Sequence, residues 1–172
     1  LRSIIQDFKM LQYDEAAGML AAKIHMNKGR LDDAIKLSED IVKDNPRAGS
    51  SSILAPVYWD AMISANKTGG GRLEKMLDEA VASAPRPIAA MALVRRGDLL
   101  KKQGQARDAL KNGYLRVVFL YAGEKEAAAE ALFKAAEAFE ELHQTSYTEK
   151  MRQTLLSRYG DTQYAQKLRG GN

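Results

Sequence analysis

Gly29-Arg30-Leu31-Asp32-Asp33-Ala34 and Gly104-Gln105-Ala106-Arg107-Asp108-Ala109 are two copies of one pattern, a turn glycine followed five residues later by an alanine that opens an apolar helix. The copies stand 75 residues apart, a little over two lengths of a roughly 34-residue helix-turn-helix repeat, so one further unit is expected between them. The pattern therefore predicts an all-α chain of stacked antiparallel helix hairpins.

Working outward, Pro46, Pro56, Pro85, Pro87 and the glycines at 29, 49, 69 to 71, 104, 123 and 160 cut the chain into segments of helical length. Between them apolar residues recur at three and four spacing, and strict alternation is scarce. In the first unit Ala16, Leu20 and Ile24 mark one face of the opening helix, Gly29 turns the chain, and Leu31, Ala34, Ile35 and Ile41 mark the return. Asn45-Pro46 stops it, because a proline disfavours helical geometry in the residue before it. The second unit runs through Val57, Ala61 and Ile63, is expected to turn at Gly69-Gly70-Gly71, and returns through Leu73, Leu77 and Ala80 to Pro85. The third uses Ala89, Ala92, Leu93, Gly97 and Leu99, turns at Gly104, and returns through Ala109, Leu110, Tyr114 and Val117. The fourth uses Ala128, Ala131, Leu132, Ala135 and Phe139, turns between His143 and Ser146, and returns through Met151, Leu155 and Leu156 to Tyr159-Gly160, with Asp161 or Thr162 as the cap of a short last helix. The expected units are 15–48, 54–87, 88–123 and 124–160, with a terminal cap at 161–172, all in one domain spanning 1–172. Residues 1–14 form a partial unit: Ile4, Ile5, Phe8 and Leu11 make an apolar stripe that is either the second helix of a preceding repeat or the start of one long helix over 1–28. Such a stripe, open at the terminus, offers a surface for an upstream repeat or for self-association into a homo-oligomer. A first residue other than methionine leaves room upstream for a signal, an anchor or more repeats.

Composition bounds the function. A chain of 172 residues buries about 70% of the surface that its unfolded form exposes, so it folds without a disulfide or a metal. With no cysteine, disulfides, thiolate nucleophiles and cysteine metal sites are excluded, although this absence does not choose a compartment. No run of 18 apolar residues exists, so no transmembrane segment is expected. Charge is segregated: residues 86–122 carry 8 basic and 2 acidic side chains, and 123–150 carry 3 basic and 7 acidic ones.

At Gly29, Ala34 and Pro46, at Ala61, Ala80 and Pro85, and at Gly97, Gly104 and Ala109, the chain resembles the tetratricopeptide repeat (TPR) family. That family places small residues where two helices cross, glycine at the turn inside the hairpin and proline after the second helix. The chain departs from it in lacking the aromatic at the helix start and in carrying three glycines at the second turn. Within the family, Ala131-Leu132-Phe133-Lys134-Ala135-Ala136-Glu137-Ala138-Phe139 and Ser157-Arg158-Tyr159-Gly160-Asp161-Thr162-Gln163-Tyr164-Ala165 look most like the degenerate repeats of bacterial cell-envelope proteins, of the outer-membrane assembly lipoprotein and Tol-Pal-associated types. The resemblance implies a right-handed superhelix, a TPR-like solenoid, with a concave face lined by first helices, and it favours the periplasm or envelope over the cytoplasm.

Projected onto this chain, that face carries Met19, Lys23, Met26 and Asn27 from the first unit, Tyr58, Met62 and Asn66 from the second, Asp98, Lys101 and Lys102 from the third, and Phe133 and Glu137 from the fourth. Methionine and tyrosine supply apolar contact, and asparagine and lysine can hold a peptide backbone or carboxylate. The expected function is a noncatalytic scaffold or adaptor that binds a partner peptide or helix. Lys23, Asn27 and Asn66 resemble a carboxylate clamp, but they lie one helical turn later than its pattern.

The chain shows no signature of chemistry. His25 and His143 lie 118 residues apart and belong to no metal-binding pair, so neither a metal nor a cofactor is expected. Gly69-Gly70-Gly71-Arg72 lacks the Gly-Lys-Ser/Thr close of a nucleotide loop. Asp32-Asp33 at a helix start is explained by the helix dipole, worth about 0.3 to 1 kcal/mol. Two alternatives remain beside the scaffold: a basic-surface binder of nucleic acid or anionic lipid, against which the scarcity of aromatics among the basic residues argues, and an accessory domain of a larger enzyme.

Overall fold

The computed structural model describes residues 11–170, with side chains from Asp14 onward. The stripe over Ile4, Ile5, Phe8 and Leu11, the choice between one and two helices over 1–28, and Gly171-Asn172 lie outside those descriptions. The described chain is all helix: α1 (Leu11–Asn27), α2 (Leu31–Asp44), α3 (Ala55–Ser64), α4 (Arg72–Ser83), α5 (Arg86–Lys102), α6 over 106–120, α7 (Lys125–Glu141), α8 (Thr145–Arg158) and α9 (Gln163–Gly170). Contacts divide it into two compact units, Leu1–Ala89 and Ala90–Asn172.

In the first unit α1 packs on α2, and both pack on α3. The face of α1 turned to α2 differs from the expected one. Leu20 and Ile24 are exposed, at 54% and 48%, whereas Gly18 and Ala22 are buried and a Cβ on Gly18 would collide with Ile41. Small residues win this face because they let two helix backbones approach, and a leucine there would hold them apart. The centre of the unit holds Leu54, Tyr58, Trp59, Leu73 and Leu77, all fully enclosed. Burying the indole leaves its N–H needing a partner, and Trp59 Nε1 donates to the Gly49 carbonyl at 2.9 Å.

In the second unit α7 is the central element, packed against α6, α8 and α9. Its alanines make this possible: Ala127, Ala128, Ala129, Ala131, Ala135, Ala136 and Ala138 are buried around most of its circumference. Alanine is the strongest helix former and lets neighbours come close on several sides. α6 is interrupted by a π-helical turn, Leu110–Tyr114, between Ala106–Ala109 and Leu115–Leu120. The wider turn seats two consecutive residues, Gly113 and Tyr114, against α5. A Cβ on Gly113 would lie 2.5 Å from Gly97 Cα and 2.6 Å from Gly97 N. Gly97 is thus a close helix crossing, as the family pattern implies, but its partner is Gly113.

The first helices end in one recurring way. Gly29, Asn66, Gly104 and His143 have φ of 71, 57, 77 and 57°. In each case the next residue donates its N–H back to the carbonyl five before it: Arg30 to His25, Lys67 to Met62, Gln105 to Leu100 and Gln144 to Phe139, all at 2.9 Å. This left-handed closure satisfies carbonyls that the helix end would orphan. Its recurrence at 29, 66, 104 and 143 gives intervals of 37, 38 and 39 residues. The second turn therefore sits at Asn66, not at the three glycines, which form a short 3-10 turn just before α4. Second helices close alike, with Asn45, Ala84, Tyr121 and Tyr159 each donating to the carbonyl four before it. The cap of α9 is Thr162, whose Oγ1 accepts from Ala165 N at 3.4 Å.

Candidate functional site

Helix spacing sets up a charged face in the second unit. Arg95 and Asp98 are three apart on α5, and Glu130 and Lys134 are four apart on α7, so each pair shares a face. Across the two helices Arg95 Nη1 donates to Glu130 Oε1 at 2.6 Å and Lys134 Nζ to Asp98 Oδ2 at 2.6 Å. Tyr114, presented by the π turn, donates its hydroxyl to Asp98 Oδ1 at 2.9 Å. Further along, Lys101 on α5 lies 3.4 Å from Glu137 and 2.9 Å from Glu141 on α7.

The electrostatics follow from burial and pairing. Arg95 and Glu130 are only 9% and 8% exposed. Burial opposes the ionisation of Glu130, but the Arg95 and Lys134 charges outweigh it and hold its pKa below the ordinary carboxylate value. Burial likewise opposes the charge on Lys101, and Glu141 and Glu137 outweigh it, so its pKa is raised. The Tyr114 phenol is pushed well up, first by burial and then by the Asp98 carboxylate beside it. Glu130 is therefore an ionised acceptor and Lys101 a charged ammonium. Neither is poised as a proton donor or as a nucleophilic amine at neutral pH.

Next to this network α7, α8 and α9 border a groove of about 950 Å³, with Phe133, Glu137, Glu140, Arg152, Leu156 and Lys167 among its walls. The Phe133 ring lies 6.0 Å from that of Tyr164 on α9, and Arg152 bridges Glu140 at 2.7 Å and Glu149 at 3.3 Å.

The sequence-selected residues separate as follows. Phe133 and Glu137 line this groove, and Asp98 and Lys101 stand in the ion-pair network beside it. Lys102 is exposed near the end of α5. In the first unit Lys23 and Asn27 are exposed on α1, while Met19 and Met26 are half-buried. Tyr58 and Met62 are core residues, 0% and 5% exposed, and offer no surface to a partner in this conformation. Tyr58 Oη instead reaches Glu39 at 3.4 Å, under the Arg72 guanidinium. Asn66 is the left-handed residue that ends α3, a structural assignment that its exposed side chain does not require for contact. Sequence reading missed Arg95, Tyr114, Glu130 and Lys134 as members of one cluster. The available signal was the separation of 35 to 36 residues between opposite charges on successive first helices, close to one repeat length.

Among the described residues no group of three His, Asp or Glu side chains is arranged to hold a metal, and no helix is long and apolar enough to cross a membrane. No protein-family model matches the chain, and searches of curated proteins and of solved structures find no match.

Proposed function

We propose that this chain is a noncatalytic scaffold of the tetratricopeptide kind, its hairpins stacked in a right-handed superhelix, which binds a peptide or helix of a partner protein on the face built from first helices. The observation that carries the reading is the fourfold left-handed closure at intervals of 37 to 39 residues, since a recurring hairpin whose apolar face needs a neighbour is the building unit of a solenoid. The ion pairs between α5 and α7 add support, because they tie first helices of successive hairpins side by side at a constant separation. The groove at Phe133 and Glu137 gives that face an open concavity.

The test is site-specific photo-crosslinking in the native host, with a photoreactive residue at Phe133 and, as control, at the exposed Lys75 on α4. A discrete protein adduct from position 133 alone, weakened by Glu137→Ala, supports the reading. Equal labelling from both positions counts against it. Binding to nucleic acid or anionic lipid that collapses steeply with added salt would favour the basic-surface alternative.

A further inference from the structure

A second groove lies away from the charged face, along α6. Its floor is apolar, with Leu115 and Phe119 of α6 and Leu142 from the turn after α7, and its rim carries Arg107, Lys111 and Arg116. It encloses about 540 Å³ and no acidic side chain lines it. Phe119 is 77% exposed, the largest exposure of any big apolar side chain among the described residues. Elsewhere in the unit Arg95, Lys101, Lys134 and Arg152 are held in ion pairs, whereas none of the three rim cations forms one among the described residues.

We propose that the α6 groove docks a short acidic amphipathic helix of a partner protein. Charge complementarity selects the occupant: three unsatisfied cations around an apolar floor match carboxylates flanking one row of large apolar side chains. Twelve residues of α6, from Arg107 to Phe119, span about 18 Å, the length of roughly three helical turns. A recessed floor separates this occupant from a bilayer, which would meet the rim and Phe119 but leave Leu115 and Leu142 uncovered. A phosphate backbone would use the cations and leave the apolar floor exposed. The proposal stands on this groove's own geometry and does not depend on the superhelix.

Fluorescence anisotropy on the full chain tests it with two labelled helical peptides of about 14 residues. Both carry Leu or Phe at i, i+3, i+4 and i+7; one has Glu and the other Lys at the flanking positions. The acidic peptide is expected to bind, and to weaken at least about tenfold with the double variant R107E/K111E and again with Phe119→Ala, while helical circular dichroism and melting stay unchanged because these side chains are exposed. Equal affinity for the basic peptide, indifference to the variants, or no binding of the acidic peptide up to millimolar concentration overturns the proposal. So does the reverse pattern, in which R107E/K111E abolishes binding to phosphatidylserine vesicles or a single-stranded oligonucleotide and the peptide shows none.

Discussion

Gly113 meets the backbone of Gly97, so neither partner can move aside as a side chain would. Gly113→Ala is therefore expected to destabilise the protein by roughly 1 to 3 kcal/mol or more, measured by urea denaturation, whereas Gly123→Ala, which faces open space, should cost much less. Ala109, fully buried where α6 begins, is a second site of this kind, and Ala109→Arg should likewise lower the melting temperature. These small residues were partly legible. Gly97 and Ala109 stand out in the repeat pattern, but nothing in the local sequence says that Gly113 faces Gly97, because the π turn that aims it is a response to packing. Tyr58 shows the opposite failure: a tyrosine at a first-helix position reads as a contact residue, and only its enclosure by the core shows otherwise.

For an element, the decisive event is how it stops. Glycine announces a left-handed closure at Gly29 and Gly104, but Asn66 and His143 make the same turn with a Cβ present, at a cost of about 1 to 2 kcal/mol, less for asparagine. His143→Gly is thus expected to raise stability by about 1 kcal/mol, and Gly104→Ala, whose new methyl would meet no neighbour, to lower it by a similar amount purely through backbone strain. Paired thermal melts check both signs; stabilisation by neither substitution at 143 nor loss at 104 would show that the closures are not strained. The same reasoning explains the misplaced second turn. Three consecutive glycines outcompete one asparagine as a sequence signal, yet α3 has already ended at Ser64 and the glycines serve the entry to α4. The proline stops were the most legible part, since Pro46 and Pro85 act on the residue before them wherever the helix packs.

Across the whole molecule, buried ionisable groups set the limits of pH stability. Glu130 has a folded pKa below its unfolded value, so its stabilisation is complete above the unfolded pKa and is lost as pH falls through the folded one. Stability should therefore decline on acidification below about pH 4.5, and Glu130→Gln, which strands Arg95, should lower stability at neutral pH and flatten that decline. The tyrosines act at the other end. Burial pushes the Tyr58 phenol up to about 12, and Tyr114 shifts the same way, so stability present below the ordinary phenol value of about 10 should be lost as pH rises through the folded values. Denaturation midpoints from pH 3 to 11 check both limbs, with Tyr114→Phe expected to reduce the alkaline one. By itself the sequence determined the helical class, the number of hairpins between Gly29 and the last helix and most of the proline and glycine stops, because three-and-four spacing and backbone-restricting residues act within one turn of the chain. Tertiary structure alone decided which face of α1 is buried, where α6 widens, and that Arg95, Asp98, Tyr114, Glu130 and Lys134 form one network, because close approach and charge pairing belong to residues about a repeat apart that only packing brings together.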